Sequence, residues 1–214
     1  DHVIDLPTLW YEYERIIKDN GAIVLTAQGI FTAKLIMSNQ SLFKYKIVWI
    51  KSSRTNYLNA KKQPLRAHED ICIFYKHQPT YNPQKIQGKP YRTTPKSVSH
   101  SYGTHHRIET VNYGNREPID VVFYDDVIYA TASPLDAGKY HPTQKPVELG
   151  SYLIKTFTNP GDIVLDNACG SGSFLLSAML ENRRFIGIEK NEITTTSKMD
   201  GVDYIKICYE RLAK

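Results

Sequence analysis

One stretch near the end of the sequence restricts the fold of this chain more than any other. Residues 163–165 form a short apolar run, residues 174–181 have the spacing of a helix, and residues 185–188 form a second apolar run that ends at Glu189. Short apolar runs of this kind are typical of strands buried on both faces. A strand, a helix and a strand in succession predict a β-α-β unit, and therefore an α/β fold with a parallel sheet.

The loop between the first strand and the helix has the residues of a nucleotide-cofactor site. Gly170 and Gly172 permit a tight turn and let the backbone approach a ligand closely. Glu189 follows roughly 20 residues after the loop begins, where an acid accepts hydrogen bonds from ribose hydroxyls. The whole unit predicts an adenosine-containing ligand. A structural turn with a solvated glutamate is the alternative.

The acid at the start of the loop separates the candidate cofactors. A dinucleotide site holds pyrophosphate over a G-x-G-x-x-G turn, but Leu175 occupies the position of the third glycine. Asp166 would repel pyrophosphate, whereas it suits the ammonium group of an amino-acid moiety. The loop therefore favours S-adenosylmethionine over a nicotinamide dinucleotide.

The sequence before this unit changes character twice. Residues 1–76 are predicted to contain a helix at 6–18, a strand at 22–26, a short helix through Ala33 and Met37, and paired strands at 46–51 and 70–75. Residues 77–140 are rich in Pro, Gly, Ser, Thr, Tyr and His, and only 120–124 and 127–130 have the pattern of strands. Residues 141–214 are regular again, with a helix after Pro146, the β-α-β unit and a covering helix at 204–212. We therefore predict three regions, the middle one an irregular insertion.

A polar, basic loop connects the two paired strands of the first region. Five cations lie in or beside it, with Tyr57 between them: Lys51, Arg54, Lys61, Lys62 and Arg66. Lysine and arginine suit contacts with nucleic-acid phosphates, and an aromatic ring suits stacking on a base. The net charge of +5 is compatible with such a partner. From residue types alone, a solvated surface is the alternative.

Several other classes of protein are disfavoured by the composition. No apolar run approaches the roughly 18 residues of a membrane span, and we find no secretory signal. The three cysteines form no CxxC pair, which favours a reduced, cytoplasmic setting. His100, His105 and His106 have no cysteine or carboxylate at ligand spacing, so we predict no metal site. We expect no membrane partner and leave a homodimer open.

Motifs in the last region carry a family resemblance. The hexapeptide HPTQKP at 141–146 is followed by the loop DNACGSGSF and by the strand FIGIE. This succession resembles the beta-type amino-group DNA methyltransferases of restriction systems and phages. The segments NGAIVL at 20–25, LNAKK at 58–62 and HED at 68–70 are also similar to that family, especially to its phage members. The resemblance covers most of the chain outside residues 78–140.

The resemblance implies a fold and an activity. The fold is a Rossmann-like, doubly wound and mostly parallel sheet with the family's permuted motif order. Residues 1–76 are then a catalytic-domain half, 77–140 a target-recognition region and 141–214 the S-adenosylmethionine-binding half. The activity is methyl transfer from S-adenosylmethionine to an exocyclic amino group in double-stranded DNA.

The resemblance also assigns site residues. The cofactor pocket is expected to be lined by Asp166, Asn167, Ala168, Gly170, Ser171, Gly172 and Glu189. His141, Thr143 and Lys145 are expected to hold the methionine end of the cofactor, and the five cations of the basic loop to contact DNA. Asn167 and Ala168 depart from the Pro-Phe of the family, so the phenyl ring that would pack on adenine is missing, and we do not expect Phe174 to replace it.

The catalytic tetrapeptide of the family, [DNS]-P-P-[YFW], does not occur in this sequence. In the family it lies on a middle strand of the sheet, just upstream of a segment like residues 1–13. We therefore assign no catalytic residue here. We expect the strands at 22–26 and 163–165 each to lack a neighbour, and a polypeptide that starts at Asp1 to transfer no methyl groups.

Three functions remain open at this point. Adenine is favoured as the target because the phage-like segments resemble adenine enzymes, and the exocyclic amine of cytosine is second. The other class is a truncated, catalytically inactive relative that binds DNA or cofactor without turnover. Methyl transfer to a small molecule would need neither the basic loop nor the Tyr-rich middle region.

Overall fold

The structure is a computed structural model that describes residues 4–93, 109–125, 140–141, 143–190 and 202–213. The described residues form five α-helices: α1 (Leu6–Ile16), α2 (Ile30–Ser38), α3 (Val147–Phe157), α4 (Ser173–Leu180) and α5 (Tyr204–Leu212). They also form ten strands: β1 (Ile23–Ala27), β2 (Phe43–Thr55), β3 (Arg66–Phe74), β4 (Ile86–Gln87), β5 (Tyr91–Thr93), β6 (Thr110–Asn112), β7 (Asn115–Arg116), β8 (Val121–Tyr124), β9 (Ile163–Asp166) and β10 (Arg184–Gly187). The helices and strands predicted outside the middle region are thus confirmed within a few residues. The strand predicted at 127–130 lies outside the described residues.

The chain divides into two units. The first comprises Asp1–Asn82 and Asp120–Lys214, and its larger sheet has the strand order β1-β3-β2-β8. β3 is antiparallel to both β1 and β2, and β2 is parallel to β8. Three of the four strands therefore run in the same direction, and the reversed strand is the second half of the predicted β2–β3 pair.

Strand β3 buries both of its faces. Cys72 and Phe74 lie in an apolar cluster with residues of α1 and α2, whereas Ile71 and Ile73 lie in a second cluster with residues of α3. Because alternate residues of a strand point to opposite faces, helices cover the sheet on both sides. Burying one such side chain contributes about 1.5–3 kcal/mol, so this strand is a large part of the core.

The β-α-β unit predicted near the end of the chain is confirmed. β9 and β10 pair in parallel and α4 connects them. Among the described residues, β9 pairs only with β10, and β1 pairs only with β3. Each of these two strands has one edge along which no described strand lies, and the same is true of β8 and β10.

The second unit, Pro83–Ile119, contains four of the short strands. β4 pairs with β7 and β5 pairs with β6, both antiparallel. The guanidinium of Arg116 lies over the ring of Tyr91 and donates to the Lys89 carbonyl. The sequence predicted no strand in this part, and that was wrong. Strands of two or three residues are too short to show the alternation by which a strand is recognised.

None of the helices among the described residues has both the length and the apolarity that crossing a membrane requires.

Candidate functional site

The loop between β9 and α4 follows a course that depends on its glycines. Gly170 and Gly172 have φ angles of 49° and 77°, in the left-handed region that other residues rarely adopt. A side chain at 170 would lie 3.4 Å from the His141 ring, and one at 172 would lie 2.8 Å from Cys208 Sγ. The loop is therefore in close contact with two distant parts of the chain, and glycine is required for it.

Two carboxylates lie at the ends of the parallel strands that flank this loop. Glu189 Oε2 accepts a hydrogen bond from the Gly170 N–H at 2.6 Å, and Asp166 Oδ1 accepts one from the Ala168 N–H at 3.2 Å. Burial raises the pKa of Asp166, the Ala168 N–H lowers it, and the nearby charge of Glu189 raises it again. A cation placed between the two acids would relieve that repulsion. The two carboxylates accept hydrogen bonds, which fits a ligand that donates them from an ammonium group and from ribose hydroxyls.

The HPTQKP segment reaches this loop through two of its residues. The His141 ring lies beside Gly170, and its Nδ1 accepts a hydrogen bond from the Thr143 N–H at 3.2 Å. Gln144 is buried, and its Oε1 accepts from Ser171 Oγ at 3.2 Å. The structure thus places His141 and Gln144 beside the loop, with Thr143 bonded to His141.

The two residues that depart from the family pattern have different surroundings. Asn167 Oδ1 accepts a hydrogen bond from the Tyr13 hydroxyl of α1 at 3.0 Å, and Ala168 is exposed. Phe174 packs against the apolar cluster beside α3 and close to Gly150. Because its ring packs against the core, Phe174 does not replace the phenyl ring that would pack on adenine.

One glutamate holds two of the predicted site lysines. Lys51 Nζ and Lys145 Nζ each lie 2.8 Å from an oxygen of Glu69, and both ammonium groups lie over the buried Trp49 ring, 5.2 and 5.7 Å from its centroid. Burial would raise the pKa of Glu69, but Lys145 and Lys51 outweigh burial and hold the pKa below its ordinary value. These contacts join the HPTQKP segment to β2 and β3.

The basic loop between β2 and β3 has an exposed apolar tip. Tyr57 and Leu58 lie in a 3-10 turn and are 63% and 100% exposed. Asn56 precedes them with a φ of 74°, and its Oδ1 accepts from Asn59 Nδ2 at 2.7 Å, which fixes the turn. The remaining predicted cations, Arg54, Lys61, Lys62 and Arg66, are all exposed. A negatively charged polymer has access to four of the five cations.

A comparison of the sequence with known families agrees with this arrangement. The arrangement comprises the glycine loop, Asp166, Glu189 and the basic loop between β2 and β3, called the basic hairpin below. A sequence model of the DNA methylase family matches residues 6–198. The chain belongs to this family. Among its relatives is the DNA adenine methyltransferase YhdJ of Escherichia coli strain K12, which is 29% identical over 205 residues, covering 94% of this chain and 63% of that protein.

Solved structures of DNA methylases share the fold. The M1.HpyAVI–SAM complex has 23% sequence identity and a TM-score of 0.59 over 94% of this chain and 79% of that one. The cytosine-N4-specific PvuII DNA methyltransferase has 16% identity and a TM-score of 0.60 over 97% and 76%. These likenesses confirm the Rossmann-like, doubly wound fold. The chain spans only 56% to 63% of the length of the curated relatives that match most of it.

Four residues at the site were not assigned a ligand-site role from the sequence: Tyr13, Glu69, Gln144 and Arg211. Gln144 and Glu69 stand inside the motifs HPTQKP and HED, so their neighbours were a signal that they belong to the site. Tyr13 and Arg211 have no such signal, because only tertiary packing brings them to the loop.

We predict that Glu69→Gln lowers the free energy of unfolding at neutral pH by about 2 kcal/mol, because hydrogen bonds to two ammonium groups lose their charge. The folded pKa of Glu69 lies below its unfolded value, so its contribution is complete above the unfolded value and is lost as the pH falls through the folded value. The difference between the two proteins should therefore shrink in acid. Urea denaturation at a series of pH values measures it.

Glu12→Gln is the matched control. Glu12 forms an exposed ion pair with Arg15 on α1, where such pairs contribute at most about 1 kcal/mol. An equal effect of the two substitutions, or a Glu69→Gln effect that is independent of pH, would contradict the assignment.

Proposed function

We propose that this chain forms the S-adenosylmethionine-binding and DNA-binding part of an amino-group DNA methyltransferase. The observation that carries the proposal is a pair of consecutive residues. Gln144 contacts Ser171 of the glycine loop, and Lys145 contacts Glu69 beside the basic hairpin. The carboxyl end of β9 and the hairpin end of the larger sheet therefore lie at one edge. A cofactor and a DNA strand bound there would face each other.

The cofactor supplies an activated methyl group on its sulfonium. In this proposal Asp166 pairs with the ammonium group of the methionine moiety, and Glu189 accepts hydrogen bonds from the ribose. His141 and Thr143 flank the loop at the methionine end. Lys145 contributes to this end by fixing the segment through Glu69. The M1.HpyAVI structure is a complex with the same cofactor, which supports the proposal.

Double-stranded DNA is the proposed substrate. Arg54, Lys61, Lys62 and Arg66 surround the exposed turn and would contact phosphates, while Tyr57 stacks on or wedges beside a base. Lys51 forms an ion pair with Glu69, so we assign it a role in stabilising the basic hairpin. The region at 77–140 would read the target sequence, and assembly as a homodimer stays a prediction.

Adenine-N6 is the proposed target. YhdJ, which matches 94% of this chain, is named as an adenine enzyme. Cytosine-N4 is the second candidate, because the PvuII enzyme shares the fold to a similar extent. An inactive relative that binds both ligands without turnover is the third, because the sequence contains no [DNS]-P-P-[YFW].

We expect Asp166→Asn and Glu189→Gln each to weaken S-adenosylmethionine binding at least tenfold, about 1.4 kcal/mol, since each removes a charge-assisted contact. Titration calorimetry measures the effect. Glu210→Gln, which removes an exposed charge of α5, is the control and should leave affinity unchanged. Wild-type affinity in both variants would show that the pocket is wrongly placed.

Replacing Lys61 and Lys62 together with Ala should weaken binding to all DNA sequences alike. It should also reduce the slope of log K against log salt by up to about two, because each phosphate contact contributes about 0.9. Fluorescence anisotropy with two unrelated duplexes at several salt concentrations tests this. The control pair Lys34→Ala and Lys206→Ala removes the same charge from exposed helical positions. An unchanged slope, or loss on one sequence only, would count against phosphate contact.

Methyl transfer itself is tested with radiolabelled cofactor and plasmid DNA. The polypeptide of residues 1–214 should incorporate no label, because its sequence contains no [DNS]-P-P-[YFW], the tetrapeptide that would accept hydrogen bonds from the target amine. A polypeptide that carries a [DNS]-P-P-[YFW] tetrapeptide ahead of residue 1 should yield N6-methyladenine on nucleoside chromatography. Robust incorporation by residues 1–214 would mean that the catalytic centre lies elsewhere, and N4-methylcytosine would select the second candidate.

A further inference from the structure

Helix α5 lies against the back of the glycine loop. Three of its residues, Tyr204, Cys208 and Arg211, are spaced so that they share one face of the helix. The Tyr204 ring is 4.6 Å from the His141 ring, and Cys208 Sγ donates to the Gly170 carbonyl at 3.0 Å. The loop and the HPTQKP segment therefore meet the same helix.

Arg211 makes the densest set of these contacts. Its side chain is 6% exposed, and Nη1 donates to the Ser171 carbonyl at 2.7 Å and lies 3.2 Å from both Ser171 Oγ and Ser173 Oγ. The guanidinium also lies 5.2 Å from the ring centroid of Tyr140. A buried cation is costly unless its N–H groups are bonded. These oxygens of the loop and of the first turn of α4 all surround Nη1.

These bonds determine how the loop peptides are turned. The carbonyls of Gly170 and Ser171 both point to α5. The peptide group is planar and trans, so the N–H of Ser171 points away from α5. The face of the loop on which the Ser171 N–H lies, away from α5, is the proposed cofactor face.

We propose that Arg211 is a positioning residue for S-adenosylmethionine: it touches no ligand and holds the glycine loop in the conformation that binds the cofactor. The inference rests on the proposed function of this loop. A glycine-containing loop has more backbone freedom than any other, so without this anchor part of the population leaves the binding conformation. The apparent affinity for S-adenosylmethionine then falls in proportion to the fraction of molecules whose loop is in the binding conformation.

Arg183 is a matched control within the same chain. It is 9% exposed, and its guanidinium donates to Thr158 Oγ1 at 2.9 Å and to the Thr158 carbonyl at 2.7 Å, beyond the other end of α4. Arg183 is buried to a similar extent as Arg211, and its guanidinium also donates hydrogen bonds. None of its described hydrogen bonds reaches the glycine loop. A loss of affinity that follows from lower stability alone would appear in both variants.

The test compares Arg211→Ala and Arg183→Ala with the wild-type chain. Both variants should unfold at lower temperature. In calorimetry well below the Tm, only Arg211→Ala should bind S-adenosylmethionine at least tenfold more weakly. Millimolar methylguanidinium should restore the affinity of this variant and not that of Arg183→Ala. Hydrogen exchange without ligand should be faster at residues 168–173 in Arg211→Ala alone. If that variant does not fold, Arg211→Lys, which keeps the charge but loses the planar donor group, takes its place.

The outcomes separate the two proposals. Wild-type affinity and wild-type loop exchange in the Arg211 variant would overturn the positioning role, as would equal losses in both variants. A wild-type chain that binds no cofactor would instead contradict the proposed function. Loop exchange in the absence of ligand would then still decide whether Arg211 holds the loop.

Discussion

The backbone of the loop at 166–172 is the constraint on which the candidate site depends. Its glycines allow a course that brings Gly170 into contact with both Glu189 and Cys208. The loop has no regular hydrogen-bond pattern of its own, and the conformational entropy of such a segment is high. Contacts from β10, α5 and the HPTQKP segment fix it instead. The site is therefore as ordered as the packing of these three elements, which are distant in sequence.

Glu69 has an equivalent role for the other half of the site. It belongs to β3, the most deeply buried strand, and its carboxylate is shared between Lys51 and Lys145. One acid between two cations over the Trp49 ring leaves a net positive charge, which suits an edge where a polyanion would bind. The same acid prevents the two ammonium groups from repelling each other. The link between sheet and HPTQKP segment is thus electrostatic as well as steric.

The parts of the fold that could be predicted from sequence are those with a local cause. The apolar runs at β1 and β9, the helical spacing of α3 and the glycines of the loop each leave a pattern within a few residues. β4 to β7 left none, because strands of two or three residues have no period. Of the site, the motif residues Asp166, Glu189 and His141 could be predicted to lie together. Tyr13 and Arg211 could not, since their partners are 154 and 40 residues away.

The pairing of the strands also bears on where chemistry can occur. In doubly wound sheets, ligands bind outside the carboxyl ends of strands, where the strand order reverses. β9 and β1 each pair with a single described strand, so each has an edge along which no described strand lies. The Tyr13 hydroxyl contacts Asn167, so α1, which precedes β1, lies beside the loop that follows β9. The loop proposed to bind the cofactor therefore lies at the carboxyl end of β9 and in contact with the helix that leads into β1.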